Sequence, residues 1–457
     1  MTSHPDRHRA EAELPAAAGG FDDRRPPSPE LIADCVHCGF CLPACPTYAL
    51  TGEEMHSPRG RIYQMKLIGE GEVPLDGSAV EHFDACLGCM ACVPACPSGV
   101  RYDQLIEDVR PQIERNVRRG RAERAFRALV FALFPYPRRL RAAALLGAGY
   151  QRLGVRRVLD RLGLLRRLPV RLRALEALLP PVRLRSALRR TPERTAARAT
   201  AVGAGSGGTR EAPRRTVGLV TGCVQQVFFA EVNDATVRVL AAEGCEVVAP
   251  RGQGCCGALS GHTGREEEAA ERARRLIDAF EPLGVDAVVT NVAGCGSALK
   301  EYGRLLADDP DYRERAEAFA ASVRDVCELL AELGPLATRH PHRGRVAYHD
   351  ACHLGHAQGV RAQPREVLAT VPGLEVCDVP EGGMCCGSAG VYNLLHPGTA
   401  DRLGRRKADN VRAAAPDAVV TGNAGCLLQI ARHLDPPLPV LHPVQVLDAA
   451  IRGVRAW

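Results

Sequence analysis

The chain has 457 residues, of which 46% are hydrophobic and only 4% aromatic, so it is long enough for two or three domains whose cores depend on Ala, Leu and Val. The formal net charge is +6, yet residues 110–215 alone hold 27 arginines against 6 acidic residues, which leaves the flanking regions acidic. The 19 cysteines lie in tight groups within a long chain, which excludes a small secreted disulfide framework and indicates metal ligation in a reducing compartment.

The N-terminal residues 1–30 are polar and rich in Pro and Ala, and we expect them to be disordered. They contain no apolar core of signal-peptide length. No run of 18 apolar residues, which a membrane-spanning helix would need, occurs in the sequence. A cytoplasmic protein is therefore predicted.

The next region, residues 31–109, contains two cysteine runs of the same form, C-x2-C-x2-C-x3-C-P. The cysteines of the first run are Cys35, Cys38, Cys41 and Cys45, and those of the second are Cys86, Cys89, Cys92 and Cys96. This run is typical of bacterial ferredoxins that bind two [4Fe–4S] clusters. Three cysteines at i, i+3 and i+6 wrap one face of a cubane, and the fourth lies too far along the chain to close the same cluster. We therefore predict crossed ligation, with the first triplet joined by Cys96 in one cluster and the second triplet joined by Cys45 in the other.

A pair of zinc sites is the alternative interpretation of these cysteines. Zinc prefers two C-x2-C pairs to triplets followed by Cys-Pro, so the pattern favours iron–sulfur clusters. The two runs begin 51 residues apart, which is farther than in small ferredoxins, and residues 62–69 between them have a helical pattern. A helical variant of the ferredoxin domain is therefore predicted.

Residues 110–215 contain no cysteine and are predicted to form an Arg-rich helical linker that prolines interrupt. Three interpretations stay open: a solvated linker, a docking surface for acidic protein (a partner or the chain's own domains), and a helix that lies on a membrane surface. Nucleic-acid binding is not predicted, because no recognised motif accompanies the charge. The Gly-rich stretch at 203–208 follows no strand and opens no helix, so it fails as a dinucleotide-binding motif.

The remaining residues form an internal repeat, with one copy at 216–340 and the other at 341–457. Each copy has a single cysteine, then Cys-Cys-Gly, then another cysteine, and the offsets between copies are 129 to 131 residues. The repeating cysteines are Cys223, Cys255, Cys256 and Cys295 in the first copy and Cys352, Cys385, Cys386 and Cys426 in the second. Short β-branched runs end at these cysteines and helical patterns follow, which predicts a parallel α/β sheet in each copy with the cysteines at its carboxyl edge.

Four thiolates in each copy can hold a further iron–sulfur cluster, and Gly257 and Gly387 would let the backbone approach it closely. Redox-active or buried thiols without metal are the alternative. The cysteines outside the repeating pattern are predicted to be structural, and they are Cys245, Cys327 and Cys377. Packing or capping roles are predicted for four histidines near the motif ends, which are His349, His353, His356 and His442.

With these motifs in hand, the chain resembles the iron–sulfur subunits of glycolate oxidase, and more broadly the cysteine-rich CCG-domain proteins of lactate utilisation, anaerobic glycerol-3-phosphate dehydrogenase and heterodisulfide reductase. The resemblance rests on the two ferredoxin runs and on SPRGRIYQMK at 57–66, HDACHLGHAQGV at 349–360, MCCGSAGVYNL at 384–394 and VVTGNAGCLLQI at 419–430. The Arg-rich segment matches only in general character. The implied fold is α+β and multidomain, with a helical two-cluster ferredoxin domain, an Arg-rich helical segment and two repeated α/β CCG domains.

The sequence departs from one part of this pattern. In the heterodisulfide reductase group each CCG copy ends in C-x2-C and binds a non-cubane [4Fe–4S] cluster. Here Val292 and Asn423 occupy the positions of the first cysteine of that pair, so one ligand in each copy is missing.

The resemblance implies an electron-transfer subunit of a flavin-dependent glycolate oxidase. Its FAD-containing partner subunits would oxidise glycolate to glyoxylate, and electrons would pass through the clusters to an acceptor such as quinone, with peripheral contact at the inner face of the cell membrane. The substrate site is expected on the partner, so no catalytic residue is assigned in this chain. The alternatives are the equivalent subunit for lactate or glycerol 3-phosphate oxidation and a stand-alone iron–sulfur redox sensor.

Overall fold

The computed structural model of the chain describes residues 20–180, 188–198 and 212–457. The Gly-rich stretch at 203–208 and most of the N-terminal segment for which disorder was predicted lie outside these ranges.

The ferredoxin-type region is helical, as predicted. Its helices are Pro29–Ala33 (α1), Pro46–Thr51 (α2), Pro58–Gly69 (α3), Gly77–Asp84 (α4) and Tyr102–Asn116 (α5), with a 3₁₀ turn at Glu54–His56. Prolines begin the first three helices, where a missing N–H costs nothing, and the side chains of Ser57 and Asp76 cap α3 and α4. The helices bury Met65, Phe83 and Leu105 in one core, which fixes the loops that carry the cysteines.

The Arg-rich segment forms helices Arg121–Leu133 (α6), Pro137–Arg152 (α7), Val155–Arg161 (α8), Leu164–Arg167 (α9) and Val170–Ala177 (α10). It packs on the chain's own domains through an apolar stripe that includes Phe126, Val130 and Leu140. The helical prediction is wrong at Arg194–Thr195 (β1), which pairs antiparallel with the first sheet and covers one of its edges. None of the helices in the described ranges combines the length and the hydrophobicity that a transmembrane span requires.

Each repeat folds around a parallel sheet, which confirms the α/β prediction. The strands are Arg215–Val220 (β2), Cys245–Val248 (β3), Ala287–Thr290 (β4) and Val323–Asp325 (β5) in the first repeat, and Gly344–Tyr348 (β6), Leu374–Asp378 (β7), Ala418–Val420 (β8) and Val440–Leu441 (β9) in the second. The sheet orders are β1-β3-β2-β4-β5 and β7-β6-β8-β9. Apart from the added β1, the two orders are the same, so the sequence repeat is also a structural repeat.

Helices flank both sheets. They are Gln225–Phe228 (α11), Ala230–Ala242 (α12), Ala258–Gly261 (α13), Glu266–Phe280 (α14), Ala293–Lys300 (α15), Tyr302–Leu305 (α16), Arg313–Ser322 (α17) and Val326–Leu333 (α18) in the first repeat, and Gln363–Ala369 (α19), Tyr392–Leu395 (α20), Pro397–Ala413 (α21), Ala424–His433 (α22) and Pro443–Arg452 (α23) in the second. Shorter turns lie at Glu281–Leu283 (3₁₀) and His353–Ala357 (π). The repeats share one core, because α12 packs on α23 and both bury side chains such as Val239 and Leu447 in a common cluster. Arg238 of α12 donates two hydrogen bonds of 2.7 Å to Asp448 of α23, which fixes the two repeats relative to each other.

Candidate metal centres

The eight ferredoxin-type cysteines surround two small cavities. Cys35, Cys38, Cys41 and Cys96 line a cavity of about 30 Å³, which Cys92 also reaches. Cys45, Cys86, Cys89 and Cys92 line a second cavity of about 20 Å³. We call these groups set one and set two. Each set joins one triplet to the fourth cysteine of the other run, which is the arrangement that crossed ligation requires, and the ligand assignment itself stays a prediction.

The two sets differ in their distance from the surface. All four cysteines of set two are buried, whereas Cys38 of set one is exposed and its other members are half-buried. Beside set one, Val36 and Phe40 each leave 68% of their surface exposed. An electron donor therefore has direct access to set one and none to set two.

Arg61 is a buried cation beside set two whose role the sequence did not reveal. Its guanidinium donates hydrogen bonds to the carbonyl of His82 (2.6 Å) and to Oγ1 of Thr47 (3.1 Å). Burial raises the pKa of the Cys86 thiol, but the charges of Arg61 and Arg110 outweigh it, so that this pKa lies below its usual value. The stretch at 57–66 that carries the family resemblance contains Arg61, and this was the signal available in the sequence.

All eight repeating cysteines line one cavity of about 200 Å³ between the two repeats. Cys223, Cys255, Cys256 and Cys295 form set three, and Cys352, Cys385, Cys386 and Cys426 form set four. In set four the Sγ atoms of Cys352 and Cys385 are 4.0 Å apart and those of Cys386 and Cys426 are 3.4 Å apart. The structure therefore brings together each group of four that the repeat pattern indicated.

Helix N-termini and buried cations favour negative charge at both sets. Cys295 and Cys426 lie in the first turns of α15 and α22, where the free backbone N–H groups and the helix dipole stabilise a thiolate. Hydrogen bonds from Cys223 and Cys256, together with the charge of Arg272, hold the pKa of the Cys255 thiol well below its usual range. Lys407 is fully buried close to set four.

The glycines of the Cys-Cys-Gly motifs lie in a left-handed backbone conformation close to a helix. Gly257 and Gly387 have φ values of +82° and +90°, and a Cβ added to them would lie 3.1 Å from the carbonyl oxygen of Ala269 and 2.8 Å from that of Ala400. Glycine is required by the left-handed backbone and by the close approach of a helix. The close approach of the backbone to a cluster at these glycines stays a prediction.

The structural cysteines and the histidines differ in their surroundings. Cys245 and Cys327 are buried in the shared core, and Cys377 is half-buried in β7. His442 caps α23, in agreement with the prediction, and His356 contacts the carbonyl of Gly383 at 2.8 Å through Nε2. His353 is different, because it lines the cavity and stacks on His262, with ring centroids 4.8 Å apart. No motif in the sequence indicated a role for His262.

Set two lies against set four. Cys89 shares a hydrophobic cluster with Cys352 and Cys385. Burial and the nearby thiol of Cys352 both raise the pKa of the Cys89 thiol. The hydroxyl of Tyr392 in α20 donates a 3.1 Å hydrogen bond to the carbonyl of Ala85, which directly precedes Cys86 of set two. The ferredoxin-type region therefore joins the second repeat through the cysteines themselves.

These donor sets fit iron–sulfur clusters. Each offers four thiols around a cavity, and sets two, three and four have a buried or partly buried cation nearby to offset the charge that four thiolates bring. When bound, such clusters supply one-electron transfer.

Three family models match four segments of the chain. The model described as "4Fe-4S dicluster domain" matches residues 31–100, and that described as "Cysteine-rich domain" matches residues 217–300 and 346–431. The model "Glycolate oxidase iron-sulfur subunit, linker region" matches residues 122–179. The expectation that the Arg-rich segment matches only in general character was therefore wrong.

Three relatives illustrate the range of similarity. The chain is 39% identical to a probable glycolate oxidase iron–sulfur subunit of Bacillus subtilis, over 87% of this chain and 88% of the relative. It is 36% identical to the glycolate oxidase iron–sulfur subunit of Escherichia coli, over 92% and 94%. Lactate utilization protein A of Geobacillus kaustophilus is 31% identical over 51% of this chain and 98% of its own length.

Proposed function

Because the chain belongs to the family of glycolate oxidase iron–sulfur subunits, we propose that it carries electrons from an FAD-containing partner subunit, where glycolate becomes glyoxylate, to a separate acceptor. The observation that carries the proposal is the grouping of the cysteines into four adjacent sets. The flavin and the substrate site belong to the partner, and this chain contributes the conducting path.

The surroundings of the sets support a direction for that path. Set one reaches the surface, so the partner docks there beside Val36 and Phe40. Set two is buried and lies against set four through Cys89. Sets four and three share the inter-repeat cavity, where the path ends.

The acceptor is a quinone that binds in this cavity. Its walls are mainly apolar, and they join the cysteines to side chains of the Arg-rich segment that include Phe134, Leu175 and Leu178. A quinone requires such an apolar wall together with a few polar groups, and it takes up two electrons and two protons to become the quinol. Burial keeps the pKa of His353 at about 4 and that of His262 well below its usual value, so both imidazoles are neutral and can donate N–H hydrogen bonds to a carbonyl.

The Arg-rich segment supplies a membrane-facing surface for this acceptor. Between residues 146 and 172 its exposed apolar side chains are Leu146, Leu153, Val155, Val158, Leu162, Leu164, Val170 and Leu172, and arginines lie between them. Exposed Leu beside Arg is the composition of helices that lie at the interface of anionic membranes. The same segment lines the cavity, so a quinone could enter from the bilayer.

Binding to lipid vesicles tests this surface. We expect the protein to bind vesicles that contain anionic phospholipid, with an affinity that falls as salt rises. Replacing Leu146, Leu153 and Leu162 together by Glu should lower the affinity by at least about tenfold, since the roughly 1.5 kcal/mol that one inserted leucine contributes already corresponds to a factor of about ten. Leu336→Glu, at an exposed leucine of the first repeat, is the matched control. Equal binding by the triple variant and the control would contradict the proposal.

The number of loaded sets tests the function. Protein purified without oxygen is expected to contain about sixteen iron atoms and as many acid-labile sulfides per chain, because each set binds four of each. About eight would mean that the repeats use their thiols without a cluster, and zinc in place of iron would overturn the proposal.

The names of the glycolate oxidase and lactate-utilisation relatives indicate two candidate substrates, glycolate and lactate. The lactate-utilisation relative covers about half of this chain, whereas the glycolate oxidase relatives cover most of it, including the Arg-rich segment. In the reconstituted complex, we expect glycolate to reduce the clusters and lactate not to reduce them.

A further inference from the structure

His349 occupies an unusual position at the edge of set four. It directly follows β6, its side chain is 1% exposed, and its backbone N–H donates a 2.9 Å hydrogen bond to the carbonyl of Val420. Neither ring nitrogen has a hydrogen-bond partner among the residues that the structure describes. Buried polar groups are nearly always satisfied, so two orphaned nitrogens on one ring point to a bound atom that the protein itself does not supply.

The neighbours of His349 are thiols. One ring nitrogen of His349, Sγ of Cys386 and Sγ of Cys426 all lie within 4.8 Å of one another, and all three residues are buried. With metal–ligand bonds of about 2.0 to 2.3 Å, the ligands of one tetrahedral metal lie roughly 3.5 to 4 Å apart. The imidazole therefore borders the site that Cys386 and Cys426 line, and a small movement of the ring would bring its nitrogen within bonding distance of a metal atom held there.

The first repeat has no counterpart of this imidazole. At the offset of 129 residues, His349 corresponds to Val220, which is buried in β2. The residue three positions before the last cysteine of each set also differs. In the second repeat it is Asn423, whose Nδ2 contacts Sγ of Cys426 at 3.4 Å, whereas in the first repeat it is Val292, whose side chain has no polar atom. The two repeats therefore share a fold and a cysteine pattern but differ in one metal-binding group.

We propose that His349 is a nitrogen ligand to the iron–sulfur cluster of set four, where it takes the place of one of the four thiolates, and that the cluster of set three has thiolate ligands alone. The inference rests on the proposed function, because it requires iron in set four. A neutral imidazole on an iron lowers the negative charge of the site, and histidine ligands raise the reduction potential of iron–sulfur centres. Set four, which lies against the ferredoxin-type region, would then hold an electron more readily than set three.

The test is pulsed EPR of the whole protein after incorporation of ¹⁵N-histidine. We expect a strongly coupled histidine nitrogen on one cluster signal, and its loss in both His349→Ala and His349→Cys. The cysteine variant offers a replacement thiolate, so it should keep the iron content of the native protein while its cluster potential becomes lower. His342→Ala removes a buried histidine of the same repeat that packs on Trp457, and it should leave the coupling unchanged.

Two outcomes would overturn the inference, and they can be told apart. Four loaded sets without histidine coupling, or with coupling that survives in the His349 variants, would remove His349 as a ligand and leave the proposed function intact. An iron count that stops at the eight atoms of sets one and two, or zinc in set four, would overturn the inference and the proposed path through the repeats together.

Discussion

Cys385→Ser is expected to stop electron flow into the second repeat while the ferredoxin-type region stays fully reducible. Cys385 lies 4.0 Å from Cys352 and in the same hydrophobic cluster as Cys89, so it belongs to set four at the place where set two meets it. A serine oxygen is a poor ligand for iron in a thiolate site. Changes even to groups that only support a metal ligand cost 10- to 100-fold, so the loss of a ligand should lower quinone reduction by about 100-fold or more.

The measurement uses the complex with its flavoprotein partner, and it follows glycolate-dependent reduction of a soluble quinone. EPR of the same sample should show sets one and two reduced to the native extent, which separates a break in the path from a loss of folding. Cys377→Ser is the matched control, because this half-buried cysteine in β7 lies outside all four sets. Quinone reduction by Cys385→Ser at more than about a tenth of the native rate would place set four off the path.

Much of the fold was predictable because cysteine spacing and strand patterns are local features. The two runs indicated the ferredoxin-type region, and the β-branched runs before Cys223 and Cys352 indicated strands that the structure contains at β2 and β6. The repeat offset identified the groups of four because each copy conserves its internal spacing. The short strand β1 was missed, because two residues of edge pairing leave no periodic pattern.

The contacts between regions could not be read from the sequence. Arg61 and Lys407 approach the cysteines from separate helices, and His262 stacks on His353 of the other repeat, while their charge or polarity alone does not distinguish them from surface residues. From the sequence alone, a packing or capping role is predicted for His349, since a single histidine near a motif is more often structural than functional. Only the tertiary structure reveals that both of its ring nitrogens lack a partner among the described residues and that two thiols stand beside it.

Leu175→Trp is expected to close the inter-repeat cavity and to lower quinone reduction by about tenfold or more. Leu175 of α10 lines this cavity of about 200 Å³, and the larger indole would occupy space that an apolar ligand needs. A tenfold loss corresponds to about 1.4 kcal/mol of binding, which is small beside the contacts that a bound ring makes with an apolar wall. The four sets are untouched, so the iron content should equal that of the native protein.

The same helix provides the control, because Leu172 lies one turn earlier in α10 and is exposed. Leu172→Trp adds the same indole without entering the cavity, and it should leave quinone reduction unchanged. A small hydrophilic oxidant such as ferricyanide needs no apolar site and can react at the exposed set one, so both variants should reduce it at the native rate.

If Leu175→Trp slowed both acceptors equally, the effect would lie in the conducting path and the cavity would not be the quinone site. If it slowed neither, the quinone would bind elsewhere on the protein. Selective loss with quinone alone would connect the apolar wall of the Arg-rich segment to the chemistry of the two repeats.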